Sequence, residues 1–236
     1  MINLFSIRLF LRSYIGKNPT FFFMLQKIIG KKNKIFAVNK STDIVIEGFP
    51  RSANTFAIYA FDFVQQKRHN IAHHLHVPAQ IIKGVRLKIP IIVLIRDPID
   101  SVISLLIREP KLDLRIALRI YIMFYKTVFK YLNSAVIASF SDVTHNMGDI
   151  ILEINNRFNK NFNLYRNSQE LDSKIFDLIR EGDRKLGYDS IYETALPTEA
   201  RKLKKNEVRK ELNKKIHSKL IHRSKHIYKT IVKLPN

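Results

Sequence analysis

Residues 48 to 56, Gly-Phe-Pro-Arg-Ser-Ala-Asn-Thr-Phe, constrain the fold more than any other stretch of the chain. The apolar run Asp43-Ile44-Val45-Ile46-Glu47 precedes them and an apolar segment at helical spacing follows, which predicts strand, loop and helix in direct succession. Gly48 and Thr55 take the first and last positions of the phosphate-cradling pattern G-x-x-x-x-G-K-[ST], while Ala53 stands at its second glycine and Asn54 at its lysine. That lysine serves the β- and γ-phosphates of a nucleoside triphosphate. Without it the loop keeps the helix N-terminus as an anion cradle but suits a smaller phosphate group. Arg51, inside the loop, brings a planar, charged fork instead. The pattern argues against an ATPase.

The same alternation continues downstream. Residues 53–66 predict the first helix after the loop, with Phe56, Ala60, Phe63 and Val64 turned inward. Residues 90–97, Pro-Ile-Ile-Val-Leu-Ile-Arg-Asp, form an unbroken apolar run ending in charge, as a buried parallel strand does. A helix opened by Pro98 carries Val102, Leu105 and Leu106, and a longer helical stretch covers 112–132. Residues 135–140 read as a further buried strand, 147–158 as a helix, and 168–187 as a surface helix. Strand alternating with helix is the mark of an α/β, doubly wound parallel sheet with flanking helices. The domain division it suggests is an N-terminal amphipathic helical segment, 1–40, and an α/β domain, 41–236, with a basic helical tail.

At 236 residues the chain suffices for one such domain with a proper core, and its 46% apolar and 11% aromatic content argues against disorder. It has no cysteine, which excludes a disulfide framework, a thiolate metal site and a thiol nucleophile. The formal net charge of +21 points to anionic ligands, an anionic polymer or a membrane face, or else reflects lysines scattered over solvated surfaces. Residues 197–233 read as two basic amphipathic helices, but without an aromatic stacking pattern or a docking motif they do not predict a nucleic-acid polymer as partner.

At the N-terminus Arg8, Arg12 and Lys17 interrupt the apolar residues, so no stretch reaches the roughly 20 needed to span a bilayer. A secretory signal is a poor fit, since no small-residue cleavage site follows a clean apolar core. A helix packed across the domain is the expectation; the alternative is an amphipathic helix on a membrane, with Lys27, Lys31, Lys32 and Lys34 meeting anionic lipid. The expected location is the cytoplasm, with peripheral contact at the inner membrane face under that alternative.

In open α/β sheets ligands sit beyond the carboxyl ends of the strands. That rule gathers Arg51, Ser52, Asn54 and Thr55 from the first loop, Arg96 and Asp97 from the end of the later strand, and the histidine-rich connection His73-His74-Leu75-His76 between them. Ser104 falls two turns into the helix after Arg96 and is placed to reach the same anion. Two anion sites are implied, one at the loop and one near Arg96, as a nucleotide phosphorylated at both ends of its ribose would require.

These residues resemble the sulfotransferases that use 3′-phosphoadenosine-5′-phosphosulfate (PAPS). The 48–56 segment is similar to their 5′-phosphosulfate loop, built around Pro-Lys/Arg-Ser-Gly-Thr-Thr. Ile95-Arg96-Asp97-Pro98 with Ser104 resembles their 3′-phosphate motif, and His74-Leu75-His76-Val77-Pro78 their Lys-x-His-x-Pro segment. The matches keep the family's order and cover residues 43 to 105. The resemblance implies a P-loop-like sulfotransferase fold and the following roles. Arg51 contacts the bridging oxygen and the sulfonate; Ser52, Ala53, Asn54 and Thr55 wrap the 5′-phosphate; Phe56 and Phe140 lie near the adenine. Arg96 and Ser104 bind the 3′-phosphate, and His76 is the catalytic base. His74 stands where the family has a sulfonate-contacting lysine, and Arg201 and Lys202 stand in for a glycine-rich C-terminal loop that is absent here.

The activity so implied is transfer of a sulfuryl group from PAPS to a hydroxyl or amine of a small-molecule or glycan acceptor, a carbohydrate or lipid-linked glycan, with no metal. His73, His74 and His76 lie too close in sequence, with no carboxylate beside them, for usual zinc spacing. The alternatives are a small nucleoside or sugar kinase, opposed by the missing loop lysine, and a non-catalytic nucleotide- or polyanion-binding protein at a membrane surface.

Overall fold

The computed structural model describes all residues except 1–2, 30–35, 189–193, 195, 197, 213 and 235–236. Two helices, α1 (Leu4–Ile15) and α2 (Pro19–Ile29), precede a four-stranded sheet, so the N-terminal segment is two helices where one was expected. Lys31, Lys32 and Lys34, expected to meet lipid, lie outside the described residues.

The strands are β1 (Ile44–Gly48), β2 (Ile71–His73), β3 (Ile91–Ile95) and β4 (Val136–Ser139), all parallel in the order β2-β1-β3-β4. β1 and β3 are buried along their whole length, which is why they read as unbroken apolar runs. Their period of two still sorts the side chains. Val45, Ile91, Val93 and Ile95 face one core, shared with α4 (Pro78–Arg86), α5 (Pro98–Arg108) and α6 (Leu114–Val128). Ile44, Ile46, Ile92 and Leu94 face the other, shared with α3 (Asn54–Val64) and, after the short α7 (Phe140–His145), with α8 (Met147–Phe158) and α9 (Gln169–Lys185). Helices on both faces of a parallel sheet are the expected doubly wound α/β arrangement. Each buried Ile contributes about 1.5–3 kcal/mol.

Two basic helices complete the chain, α10 (Glu199–Leu212) against α5 and α11 (Ser218–Ile231) against α5 and α6. α3 begins where expected, but Phe63 is exposed, and Ala57 and Phe61 face inward with Phe56 and Ala60. α1 departs further from expectation. It packs on α6 with Ser6 and Ser13 buried, Leu9 and Phe10 only partly buried against the core, and Leu4, Ile7, Leu11 and Tyr14 exposed. The serines are satisfied there: the Ser6 hydroxyl accepts from the Asp113 amide at 2.8 Å, and Ser13 donates to the Leu9 carbonyl at 2.9 Å. No helix among the described residues is long and apolar enough to cross a membrane.

Candidate functional site

The carboxyl ends of β1 and β3 open into a cavity of about 480 Å³. Its floor is the loop between β1 and α3, held in a strained form: Arg51 and Ala53 are left-handed at φ 70° and 67°. Ala53 takes this conformation at the position where the phosphate-loop pattern has glycine, while Gly48 is needed for closeness, since a Cβ there would lie 2.4 Å from the Leu94 carbonyl oxygen. His74 and His76, which also line the cavity and touch this loop, are left-handed as well, at φ 54° and 51°. Non-glycine residues in this region cost on the order of 1–3 kcal/mol each and cluster at functional sites. Two tyrosines of α6 hold the strand ends. The Tyr125 hydroxyl donates to the Leu94 carbonyl at 2.7 Å and accepts from the Phe49 amide at 3.3 Å; the Tyr121 hydroxyl donates to the Arg96 carbonyl at 2.8 Å.

His76 has a defined proton. Its Nδ1 lies 2.8 Å from the Gly48 carbonyl oxygen, which can only accept, so Nδ1 carries the hydrogen. The same nitrogen is 3.2 Å from Oε1 of Glu47, a fully buried residue. Glu47 is fixed in turn, accepting from the Gly48 amide at 3.1 Å and the Leu75 amide at 2.9 Å. Nε2 of His76 is therefore the nitrogen with a free lone pair, on a side chain that lines the cavity. A histidine oriented by a buried carboxylate is the arrangement of a general base.

His74 is neutral. Burial, and then the proximity of His76 and His73, push it well below the usual histidine range, so it supplies no positive charge where the resemblance places a lysine. Its Nε2 lies 3.3 Å from the Thr55 hydroxyl and its Nδ1 2.7 Å from Nδ1 of His73.

The positive charge comes from arginines. Arg12, Arg51, Arg96 and Arg108 line the cavity. Burial and the nearby Arg201, Arg108 and Arg96 lower Arg51 to about 9, still charged at neutral pH. Arg51 Nε donates to the Ser104 hydroxyl at 3.0 Å, and Arg201 donates to the same hydroxyl at 3.0 Å and to the Ser104 carbonyl at 3.2 Å. Arg96 donates to the Arg51 carbonyl at 3.1 Å, and its guanidinium lies 3.9 Å from the centre of the Phe140 ring. Four arginines against one lining carboxylate, Glu109, leave the pocket with an excess of positive charge, which suits an anion.

Of the residues singled out from sequence, Arg51, Ala53, Asn54, Thr55, Phe56, His74, His76 and Arg96 meet in the cavity wall. Ser104 and Arg201, both nearly fully buried, stand behind the arginines and brace them. The Ser52 side chain is buried, and Asn54 donates its side-chain amide back to the Phe49 carbonyl at 3.0 Å. Phe140 covers the Arg96 guanidinium. Asp97 is a helix cap, accepting from the Ile99 and Asp100 amides at 2.8 and 3.1 Å. Lys202 is exposed and ion-paired with Glu199. The α10 residue that feels Arg96 and Arg201 is instead Lys205, lowered by burial and then by Arg96.

Sequence reasoning missed Glu47, Arg12, Arg108 and Lys205. Arg12 donates from α1 to the Leu75 carbonyl at 2.8 Å and so pins the histidine segment. The one signal available was the regular spacing of Arg201 and Lys205, four apart on one helical face.

No family model matches the chain, and no curated protein matches it significantly. Among solved structures it is similar to mouse sulfotransferase SULT7A1 complexed with PAP, at 12% identity, covering 82% of this chain and 94% of that one with a TM-score of 0.40. So distant a likeness decides neither fold nor activity; both rest on the residues.

Proposed function

We propose that the chain is a PAPS-dependent sulfotransferase acting on a hydroxyl or amine of an acceptor, a carbohydrate or lipid-linked glycan. The observation that carries the reading is one cavity holding both a strained, arginine-ringed loop at a helix N-terminus and a histidine whose free nitrogen is fixed by a carboxylate. The first suits an anionic leaving group, and the second suits an acceptor that must lose a proton.

In the reaction so inferred, the acceptor oxygen or nitrogen attacks sulfur in line as the bond from sulfur to the 5′-phosphate oxygen breaks. His76 Nε2 takes the acceptor's proton. Arg51, assisted by the loop amides at the start of α3, faces the charge gathering on the departing phosphate, and Arg96 faces the 3′-phosphate. Glu47 keeps the His76 proton on Nδ1.

Calorimetric titration with 3′-phosphoadenosine-5′-phosphate, adenosine 5′-phosphate and ATP tests the nucleotide half. The doubly phosphorylated nucleotide should bind at least about tenfold more tightly than adenosine 5′-phosphate, since one charge-assisted contact is worth roughly 1.5–3 kcal/mol. Equal affinities would refute it, and preference for ATP would favour a kinase. Transfer from labelled PAPS to a panel of saccharide and lipid acceptors tests the chemical half; nucleotide binding without transfer to any of them would favour a non-catalytic binder.

A further inference from the structure

The outward faces of α1 and α2 carry an apolar stripe that is exposed among the described residues. Leu4, Ile7, Leu11 and Tyr14 recur at helical spacing along α1, and Phe21, Met24 and Ile28 along α2; Leu4 is 61%, Leu11 51% and Ile28 75% exposed. Burial does not explain this stripe, because the inner flanks do the packing. α1 rests on α6 with Ser6 and Ser13 buried and Leu9 and Phe10 partly buried against the core, and α2 rests on α4. Since α4 and α6 cover the same face of the sheet and touch each other, the two N-terminal helices form an added layer with its apolar side turned away from the domain.

The charge around that layer is of one sign. Residues 1–42 contain eight lysines and arginines and not one Asp or Glu. Among the described residues Arg8, Lys17, Lys27 and Lys83 have no ion-pair partner. Lys27 even helps, after burial, to lower Lys83. Such a surface repels a second copy of itself, which would bring like charges face to face. It complements a surface that is apolar below and anionic above, as the boundary of an acidic lipid bilayer is.

We propose that α1 and α2 lie flat on an anionic membrane, the exposed stripe in the acyl boundary and Arg8, Lys17 and Lys27 among the headgroups. The active cavity then opens beside the lipid. α1 lines that cavity with Phe5, Leu9, Arg12 and Ser13, and Phe5 is also half in solvent, so the rim lies within about a helix diameter, 10–12 Å, of the bilayer.

Sedimentation of the full chain with vesicles of phosphatidylglycerol and phosphatidylcholine, against vesicles of phosphatidylcholine alone, tests the contact without reference to activity. The chain should bind the mixed vesicles, weakly or not at all the neutral ones, and less as salt rises. Leu11→Glu/Met24→Glu/Ile28→Glu should weaken binding at least about tenfold, and Arg8→Gln/Lys17→Gln/Lys27→Gln about a hundredfold, with thermal midpoints close to wild type because all six side chains are exposed. Neutralising Lys210, Lys219, Lys225 and Lys229 on the C-terminal helices should matter much less. The proposal is overturned if the N-terminal variants bind like wild type while the C-terminal one does not, which would mean bulk attraction only. It is equally overturned if the chain ignores acidic vesicles at low salt, leaving an acidic protein as the occupant. A dimer dissociated by the Leu11 variant would assign the face to a second copy.

Discussion

Ala53 holds a backbone conformation that a side chain disfavours by about 1–2 kcal/mol, at φ 67° and the N-cap of α3. Ala53→Gly removes that penalty and returns part of it through the freer unfolded chain, about 0.5–1 kcal/mol, so the net expected change is a stabilisation of up to about 1.5 kcal/mol. A lower denaturation midpoint in the variant would show that the loop relies on the Ala53 methyl packed against the α3 core. The catalytic assignment is tested at His76 and Glu47 together. His76→Ala should lower turnover by about 10² or more with 3′-phosphoadenosine-5′-phosphate affinity unchanged, as a base that touches only the acceptor requires. Glu47→Gln keeps the size but an acceptor for only one of the two backbone amides, since Oε1 takes the Gly48 amide and Oε2 the Leu75 amide, and it loses the charge behind Nδ1; turnover should fall at least about tenfold, again without change in nucleotide affinity. A loss of nucleotide binding in step with turnover would make Glu47 a fold residue only. Its role could not be read from sequence, where it ends an apolar strand; it acts because β2 pairs beside β1 and brings Leu75 and His76 to its carboxyl group. The loop residues, by contrast, were legible, because consecutive positions fix their own geometry.

Elements differed in legibility for a physical reason. β1, β3 and β4 are central or fully covered, so apolar runs betray them; β2 has three residues, too few for any period, and was read as a connection. α1 misled because its two fully buried residues, Ser6 and Ser13, are polar while much of its apolar set is exposed. The β2 segment carries its own prediction. Burial lowers His73 from 6.5 to about 4, with Phe36 stacked 4.4 Å from it, and His74 is displaced in the same sense. In the unfolded chain His73 takes up its proton near pH 6.5, before the folded chain does. Stability from this source is constant above that pH and is lost as pH falls towards 4, by on the order of 2–3 kcal/mol. His73→Asn, which retains a polar partner for His74, should be less stable at pH 7 yet lose less between pH 7 and pH 4.5. Parallel midpoint curves for the two proteins would remove His73 as the titrating group.

The molecule as a whole carries +21, and two different parts of that charge should behave differently. The buried cluster of Arg51, Arg96, Arg108 and Arg201 is self-repelling, so an anion that enters should stabilise the fold: about 2.7 kcal/mol at a hundred times its dissociation constant. Arg96→Ala should remove about half or more of that gain for 3′-phosphoadenosine-5′-phosphate by weakening it about ten- to a hundredfold. The C-terminal helices hold another part. Lys202, Lys204, Lys214 and Arg209 are already paired with acids, and each such surface pair is worth little, roughly 0–1 kcal/mol. Lys210, Lys219, Lys225 and Lys229 are exposed, with no ion-pair partner among the described residues, and they are placed to act at a distance. If they steer an anionic ligand towards the cavity, neutralising all four should slow nucleotide association at low salt, and the gap to wild type should close as the screening length shrinks below roughly 8–10 Å. Turnover at saturating substrate should stay the same, because the reacting groups sit at the loop and at His76. Stopped-flow association rates over a salt series decide it. Rates that coincide at every ionic strength would make these four lysines a solvated surface without kinetic effect.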